Sequence, residues 1–254
     1  MKIALFQTKL HWEDPKANRN LIQQYIDSFQ EEFDLLVLPE MFTSGFTMEP
    51  KKVSETMDGE TVTFLKVMAS EKNFAITGSL VIEEDGKFFN RMVFVHPNGT
   101  IEFYNKRHLF SLAGEEKVYE KGREKVIVSY KNWKICLQIC YDLRFPAFAR
   151  NLEDYDLVIY VANWPKPRIN AWNALLMARA IENMCYCVGV NRIGEDSNNL
   201  EYVGSSQGID YLGNELLNAE ANQGLFLVKI NKDIMLETRK KFNFLNDRDI
   251  FSIV

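Results

Sequence analysis

ICLQICYDLRFP, residues 135–146, is an apolar run that ends at a reactive side chain. Its alternation predicts a strand over 133–140, so Cys140 stands at the end of the strand, just before a short helix predicted near 145–152. Backbone N–H groups at a helix start favour a thiolate, which predicts a lowered thiol pKa and a nucleophile at Cys140. A small core residue is the commoner role for such a cysteine, and this segment alone leaves both interpretations open.

Two other segments have the same design, in which an apolar strand leads into one reactive residue. LLVLPE, residues 35–40, places Glu40 directly after a buried strand and a proline. YNKRHLF, residues 104–110, places Lys106 where a predicted meander closes. Sites in α/β proteins usually lie at the carboxyl ends of strands, so the three residues are candidates for one site. Taken singly, each also fits a cap, a solvated surface residue or a core residue.

The rest of the chain alternates predicted strands and helices, with no Pro- or Gly-rich linker. About a dozen strands with few helices favour one α/β domain over residues 1–254, with two packed sheets covered by helices. In the helix predicted over 169–184, the spacing favours a buried face that includes Ala174, Ile181 and Met184. The predicted strands are 2–7, 35–38, 74–82, 88–95, 100–104, 125–129, 133–140, 156–161, 185–190, 206–211 and 224–230. The other predicted helices are 15–31, 60–72 and a basic one after 231.

Composition and charge exclude several classes of protein. The 254 residues carry 30 Lys and Arg against 35 Asp and Glu, a net charge of −5, which disfavours nucleic-acid binding. Four cysteines are too few for a disulfide framework. No apolar stretch approaches the length of a membrane span, and the amino terminus lacks the core of a signal peptide. We therefore expect a cytoplasmic protein with no membrane partner.

Other motifs in the sequence predict no chemistry. GSSQG, residues 204–208, matches a nucleophile elbow, but all three histidines lie upstream, so we interpret it as a turn entering a strand. The scattered histidines exclude a zinc-hydrolase motif, and the cysteine spacings, with no histidine nearby, disfavour a metal site. Without a glycine-rich phosphate loop, no nucleotide cofactor is indicated. We expect neither a metal nor a cofactor.

Taken together, LPEMFTSGF (38–46), YNKRHLF (104–110) and ICYDLRFP (139–146) resemble the Glu–Lys–Cys triad segments of the carbon–nitrogen hydrolase (nitrilase) superfamily. The resemblance runs from about residue 2 to 250 and includes VIYVANWPKPR (158–168). CYDLRFP followed by ANWP is most similar to the omega-amidase branch, whose members hydrolyse the terminal amide of 2-oxoglutaramate or 2-oxosuccinamate. The resemblance implies a four-layer α-β-β-α sandwich, a homodimer or larger assembly, and a small-molecule amide and water as substrates.

The resemblance also implies roles for the three residues. Cys140 would attack the amide carbonyl and form a thioester, with Glu40 as general base. Lys106 and the backbone N–H of Tyr141 would stabilise the oxyanion, and Lys106 would keep the thiolate and Glu40 charged. Many family members carry an assisting glutamate in the loop after the lysine. Glu115 is the first candidate here, with Glu116 and Glu120 as alternatives.

A 2-oxo acid monoamide carries a carboxylate, so the substrate site should contain a cation. Arg144 in CYDLRFP is the nearest candidate, and a structural ion pair with Asp142 or a neighbouring acid is the alternative. Aromatic residues beside the triad are expected to line the pocket, although they could equally well be core residues. They are Phe42, Phe46, Phe110 and Trp164. Hydrolysis of nitriles, aliphatic amides or N-carbamoyl amino acids, and a scaffold without activity, are the competing functions.

Overall fold

The computed structural model describes residues 1–253 and contains two six-stranded mixed sheets. The first sheet has the order β14-β1-β2-β3-β4-β5, and the second has the order β13-β12-β9-β8-β7-β6. The strands of the first sheet are β1 (Lys2–Gln7), β2 (Leu35–Val37), β3 (Ala75–Glu84), β4 (Lys87–Val95), β5 (Ile101–Asn105) and β14 (Gly224–Lys229). Those of the second sheet are β6 (Ile127–Tyr130), β7 (Trp133–Ile139), β8 (Leu157–Ala162), β9 (Tyr186–Asn191), β12 (Gln207–Ile209) and β13 (Glu215–Asn218). β10 (Ile193–Glu195) and β11 (Glu201–Val203) form a separate ribbon.

Strand alternation decides which side chains fill the space between the two sheets. On β7, Ile135, Leu137 and Ile139 face the first sheet, where they share a core with Ile3 and Leu5 of β1. Their neighbours on the chain point the other way, because successive side chains in a strand lie on opposite faces. The two inner faces therefore bury one continuous apolar layer, as the sequence predicts.

Helices cover both outer faces and complete the four layers. α1 (Pro15–Ser28) and α2 (Glu60–Lys72) pack on the first sheet, through Ile22 and Leu65 among others. α4 (Ile169–Asn183) packs on the second sheet. α5 (Lys232–Phe242) lies near the carboxyl end of the chain. None of the helices in residues 1–253 is long and apolar enough to cross a membrane.

The buried face of α4 differs from the predicted one. Trp172, Leu176 and Ala180 pack against the sheet. Of the predicted face, Met184 is buried, but Ala174 is exposed and Ile181 is 47% exposed. Residues spaced by four along a helix share a face, and both stripes on this helix satisfy that spacing. Because Trp172 is the largest side chain of the helix, the stripe that contains it buries the most area and faces the sheet.

Parallel pairing brings the candidate residues to the same end of the sandwich. β1, β2 and β3 run parallel in the first sheet, and β7, β8 and β9 run parallel in the second. Glu40 follows β2, and Cys140 follows β7. The helix predicted over 145–152 is shorter in the structure: a 3-10 helix spans Cys140–Arg144, and the four-residue α3 (Pro146–Ala149) follows it.

Candidate functional site

Glu40 lies in a sharp turn after β2 and is fully buried. The turn is fixed by the backbone N–H of Met41, which donates to Ser79 Oγ at 2.9 Å, and Met41 has a left-handed φ of 42°. The Glu40 carboxylate accepts hydrogen bonds from the Asn90 side chain at 2.8 Å and from the Asn163 backbone N–H at 2.9 Å. These bonds hold the carboxylate without the help of solvent.

Lys106 lies just past β5 and is 1% exposed. Its ammonium donates to Glu40 Oε1 at 2.8 Å and to the two oxygens of Glu115 at 3.0 and 2.9 Å. The same ammonium stands 5.1 Å from the centre of the Phe46 ring. Burial by itself would lower the pKa of Lys106, but the Glu115 and Glu40 carboxylates outweigh it and raise that pKa. Lys106 is therefore a fixed cation.

Glu115 is the loop glutamate that reaches Lys106, and it is fully buried. The backbone N–H of Phe110 also donates to its Oε2 at 2.6 Å. Burial raises the pKa of Glu115, with Lys106 opposing and Glu40 reinforcing the rise. Glu116 and Glu120 are exposed, and Glu120 lies 3.6 Å from Lys87. Of the three glutamates that the sequence left open, Glu115 is therefore the one that contacts Lys106 in the structure.

Cys140 begins the 3-10 helix after β7 with a left-handed φ of 45°. Such a backbone conformation is strained for a non-glycine residue, and it turns the side chain sharply off the strand. Burial and the Glu40 carboxylate raise the pKa of the Cys140 thiol, and Lys106 only partly offsets them. The lowered thiol pKa that the sequence predicts is therefore wrong, because one short 3-10 turn does not outweigh burial beside a carboxylate.

Asp142 connects the Lys106 segment to the Cys140 turn. Its buried carboxylate accepts from the Ile139 backbone N–H at 2.9 Å and from the Tyr104 hydroxyl at 2.8 Å. It also accepts from the His108 backbone N–H at 3.1 Å and lies 2.7 Å from His108 Nδ1. Since a carboxylate only accepts, Nδ1 carries a hydrogen in this contact. The strand ends that present Lys106 and Cys140 are thereby held together.

Glu40, Lys106 and Cys140 line one cavity of about 540 Å³. Five of the residues predicted to contact substrate line it too: Phe46, Phe110, Tyr141, Arg144 and Trp164. Phe42 does not. Its backbone N–H donates to Ser79 O at 3.0 Å, and its ring packs in the layer between the first sheet and the helices. The prediction for Phe42 is corrected: the turn that presents Glu40 directs Phe42 into the core.

Two asparagines in the site were not predicted from the sequence. Asn163 lines the cavity, directly after β8, and its backbone carbonyl lies 4.0 Å from Cys140 Sγ. It follows a buried strand as Glu40 and Cys140 do, so the same pattern could have identified it. Asn90 lies on β4 and contacts both Glu40 and Glu115, at 2.8 and 3.2 Å. Its only sequence signal is a polar residue within an apolar strand.

Other sequence features have structural roles. Arg179 pairs with Glu182 at 2.9 Å on α4 and also donates to the Leu143 carbonyl beside the Cys140 turn at 2.6 Å. GSSQG forms a turn that enters β12, and Ser206 Oγ accepts from the Asn191 backbone at 2.9 Å. Within residues 1–253, no group of three or more His, Cys, Asp or Glu could hold a metal ion.

The other three cysteines lie in the core, away from the cavity. Cys136, Cys185 and Cys187 are fully buried behind the second sheet, in the layer that α4 covers. Burial raises the pKa of Cys136 to about 12 and raises that of the other two as well. Cys140 is the partly exposed thiol of the four.

A cavity that contains a thiol, a buried ammonium and a carboxylate is suited to a hydrolase that works through a covalent acyl intermediate. Comparison with known proteins agrees. A family model described as carbon-nitrogen hydrolase matches residues 2–240. Omega-amidase YafV of Escherichia coli strain K12 is 42% identical over 254 residues, which cover all of this chain and 98% of that protein. 2-Oxoglutaramate amidase of Bacillus subtilis strain 168 is 29% identical over 250 residues, 96% of each chain.

A solved structure extends the likeness to three dimensions. The crystal structure of a CN-hydrolase superfamily protein from Xanthomonas campestris, with an arsenic adduct in its active site, superimposes with a TM-score of 0.97. It is 40% identical and covers 100% of this chain and 99% of its own. This chain belongs to the carbon-nitrogen hydrolase family, in the omega-amidase branch of the nitrilase superfamily.

Proposed function

We propose that this protein is an omega-amidase that cleaves the terminal amide of small 2-oxo dicarboxylic monoamides, namely 2-oxoglutaramate and 2-oxosuccinamate, to acid and ammonia. The observation that carries the proposal is the buried contact of Lys106 with Glu40 and Glu115 in the cavity that Cys140 lines. Similarity to omega-amidase YafV over the whole chain supports the substrate class.

In the first half of the reaction, Cys140 Sγ attacks the amide carbonyl carbon while Glu40 takes the thiol proton. The raised pKa of Cys140 makes this base necessary, since the thiol is protonated before attack. Negative charge then develops on the carbonyl oxygen, where Lys106 and the Tyr141 N–H stabilise it. Glu40 returns the proton to the nitrogen, and the carbon–nitrogen bond breaks. Ammonia departs, and the acyl group stays on Cys140 as a thioester.

In the second half, water replaces ammonia. Glu40 takes a proton from the water as its oxygen attacks the thioester carbonyl, and Lys106 again faces the oxyanion. The carbon–sulfur bond breaks, Glu40 returns the proton to the departing sulfur, and the carboxylic acid is released. One water is consumed, and the enzyme returns to its starting state. Glu115 does not exchange protons in this scheme; it positions Lys106.

The cavity supports a small, anionic substrate. Phe46, Phe110, Tyr141 and Trp164 supply apolar walls, and Arg144 supplies a cation. The guanidinium of Arg144 forms no ion pair within residues 1–253, so the alternative of a structural pair with Asp142 has no support there. The carboxylate of a 2-oxo monoamide would supply the anion for this cation.

A substrate panel tests the proposal. Ammonia release would be measured from 2-oxoglutaramate, 2-oxosuccinamate, an aliphatic amide, a nitrile and an N-carbamoyl amino acid. We expect the highest kcat/KM for the 2-oxo monoamides. A higher value for the nitrile or the carbamoyl compound would instead assign another nitrilase-superfamily activity. Absence of ammonia from every compound would favour a scaffold.

We also propose that residues 1–254 act as one domain and assemble into a homodimer in the cytoplasm. The exposed stripe of α4 supports the dimer, since Met177 and Ile181 are 43% and 47% exposed beside Leu212 at 47%. A reducing cytoplasm would keep the Cys140 thiol free. Light scattering on the wild type and on Ile181→Glu tests the assembly. We expect a dimer and a monomer respectively, and a monomeric wild type would contradict the dimer.

A further inference from the structure

The cations that line the cavity fall into two groups. Lys106 is neutralised by Glu40 and Glu115, and Lys52 lies 3.5 Å from Glu13. Arg144 and Arg168 also line the cavity, yet within residues 1–253 neither guanidinium makes a hydrogen bond or an ion pair. Two arginines at one small cavity therefore keep their charge and their donors uncommitted.

The nearby acids do not supply partners for these arginines. Glu13 accepts from the Thr47 hydroxyl at 2.5 Å as well as facing Lys52. Asp196 accepts from the Tyr202 hydroxyl and from the backbone of its own loop at 2.8 to 3.0 Å. Glu49 lines the cavity but forms no ion pair in the described residues. None of these acids forms an ion pair with Arg144 or Arg168 in the described residues.

Aromatic rings hold both guanidinium groups in place. The Arg168 guanidinium carbon lies 5.0 Å from the centre of the Phe110 ring, and that of Arg144 lies 5.0 Å from the Trp164 ring. The Trp164 indole N–H donates to the Arg168 carbonyl at 2.7 Å, which fixes the 3-10 helix Lys166–Arg168 beside the cavity. A ring orients the guanidinium plane but satisfies none of its N–H groups, so these remain free for a planar anion.

We propose that Arg168, together with Arg144, binds the carboxylate of the substrate and selects anionic amides over neutral ones. Arg168 is a specificity-determining residue in this assignment. The inference rests on the proposed function only in placing the reacting amide at Cys140. A guanidinium matches a carboxylate with two parallel hydrogen bonds, which a lysine or a glutamine cannot reproduce.

The reaction does not alter the charge of that carboxylate, so the contact stabilises substrate and transition state alike. Its loss should therefore raise KM and leave kcat little affected. Loss of one charge-assisted hydrogen-bonded contact typically weakens binding about 10- to 100-fold. The ratio of kcat/KM for succinamate, an anionic amide, to that for neutral butyramide should fall by this factor.

The test compares Arg168→Gln and Arg168→Lys with Lys166→Gln. Lys166 is exposed, lies on the same 3-10 helix and pairs with Glu201 at 2.7 Å outside the cavity, so Lys166→Gln removes the same charge without touching the cavity. We expect the anionic-to-neutral ratio to fall about 10- to 100-fold in Arg168→Gln, to fall less in Arg168→Lys, and to stay within about twofold in Lys166→Gln. An equal loss for both amides, or no loss, would overturn the inference.

A second readout needs no turnover and separates the two proposals. Iodoacetamide alkylation of Cys140 would be timed with and without glutarate, a dicarboxylate, or neutral glutaramide as protectant. Glutarate should protect the wild type, and Arg168→Gln should need about 10- to 100-fold more of it. If the wild type releases no ammonia from 2-oxo monoamides but this shift is seen, the proposed function fails and the inference stands. If ammonia is released but the shift is absent, the inference fails and the proposed function stands.

Discussion

The ammonium of Lys106 donates to both carboxylate oxygens of Glu115, at 3.0 and 2.9 Å, where neither side chain contacts solvent. A third hydrogen bond, at 2.8 Å, goes to Glu40, so all three N–H groups of the ammonium are used. We expect Lys106 to meet a developing oxyanion by releasing one of its two bonds to Glu115 while the other keeps it in place. We therefore propose Glu115 as a positioning residue for Lys106.

Replacing Glu115 should lower kcat with little change in the fold. In Glu115→Gln, the neutral amide holds the ammonium less firmly, and we expect kcat to fall on the order of 100-fold, the usual cost of a misplaced oxyanion donor. Steady-state ammonia release measures the effect. Glu116→Gln is the matched control, because Glu116 is the adjacent, exposed residue. Equal effects of the two substitutions would contradict the role of Glu115.

Replacing Glu40 should separate nucleophile ionisation from catalysis. Burial and, after it, the Glu40 charge raise the pKa of Cys140, so in Glu40→Gln the thiol should ionise at lower pH. The alkylation rate with iodoacetamide, followed from pH 6 to 11, should therefore rise at lower pH than in the wild type. Ammonia release should be lost nonetheless, because the general base is missing. A midpoint that stays in place or moves upward would show that Glu40 does not act on the thiol.

The contact between His108 and Asp142 should matter to both stability and turnover. In His108→Phe, the ring can still stack on Phe145, whose centroid is 3.9 Å away, but the 2.7 Å contact with Asp142 is lost. We expect a loss of about 1–2 kcal/mol in the free energy of unfolding, a few degrees in Tm, and a kcat lowered about tenfold. Thermal unfolding and ammonia assays measure the two effects.

His96→Phe provides the comparison for His108→Phe. His96 lies 2.9 Å from Glu102 near the β4–β5 turn, so the substitution His96→Phe removes a similar contact that is away from the cavity. It should lower Tm by a similar amount and leave kcat within about twofold. Similar kcat values in the two variants would mean that the Asp142 network stabilises the fold without positioning the site.

Most of the architecture could be predicted from patterns within single segments of the sequence. The apolar runs of β2, β7 and β8 predicted buried strands, and Pro39 marked the end of the strand before Glu40. The buried face of α4 could not be chosen from spacing, since both of its apolar stripes have helical period. Only packing on the sheet decides between Trp172 and Ile181.

The site was predictable where each residue follows a strand, and not where distant segments meet. Glu40, Lys106 and Cys140 each follow a strand. Asn90 instead lies in the middle of β4, and the 115–120 loop has no regular residue spacing from which Glu115 could be chosen. The ionisation of Cys140 also depends on neighbours far along the chain. Burial and, after it, the carboxylate of Glu40 outweigh the local 3-10 turn.

The substitution Cys140→Ala tests the central claim most directly. Ammonia release from 2-oxoglutaramate would be compared in wild type and variant, with circular dichroism and Tm as checks of folding. We predict that ammonia release falls to the uncatalysed level while the spectrum and Tm stay close to those of the wild type, since only one sulfur atom is removed from the cavity. Ammonia release at the wild-type rate by a folded Cys140→Ala variant would contradict the claim that Cys140 is the nucleophile of this hydrolase.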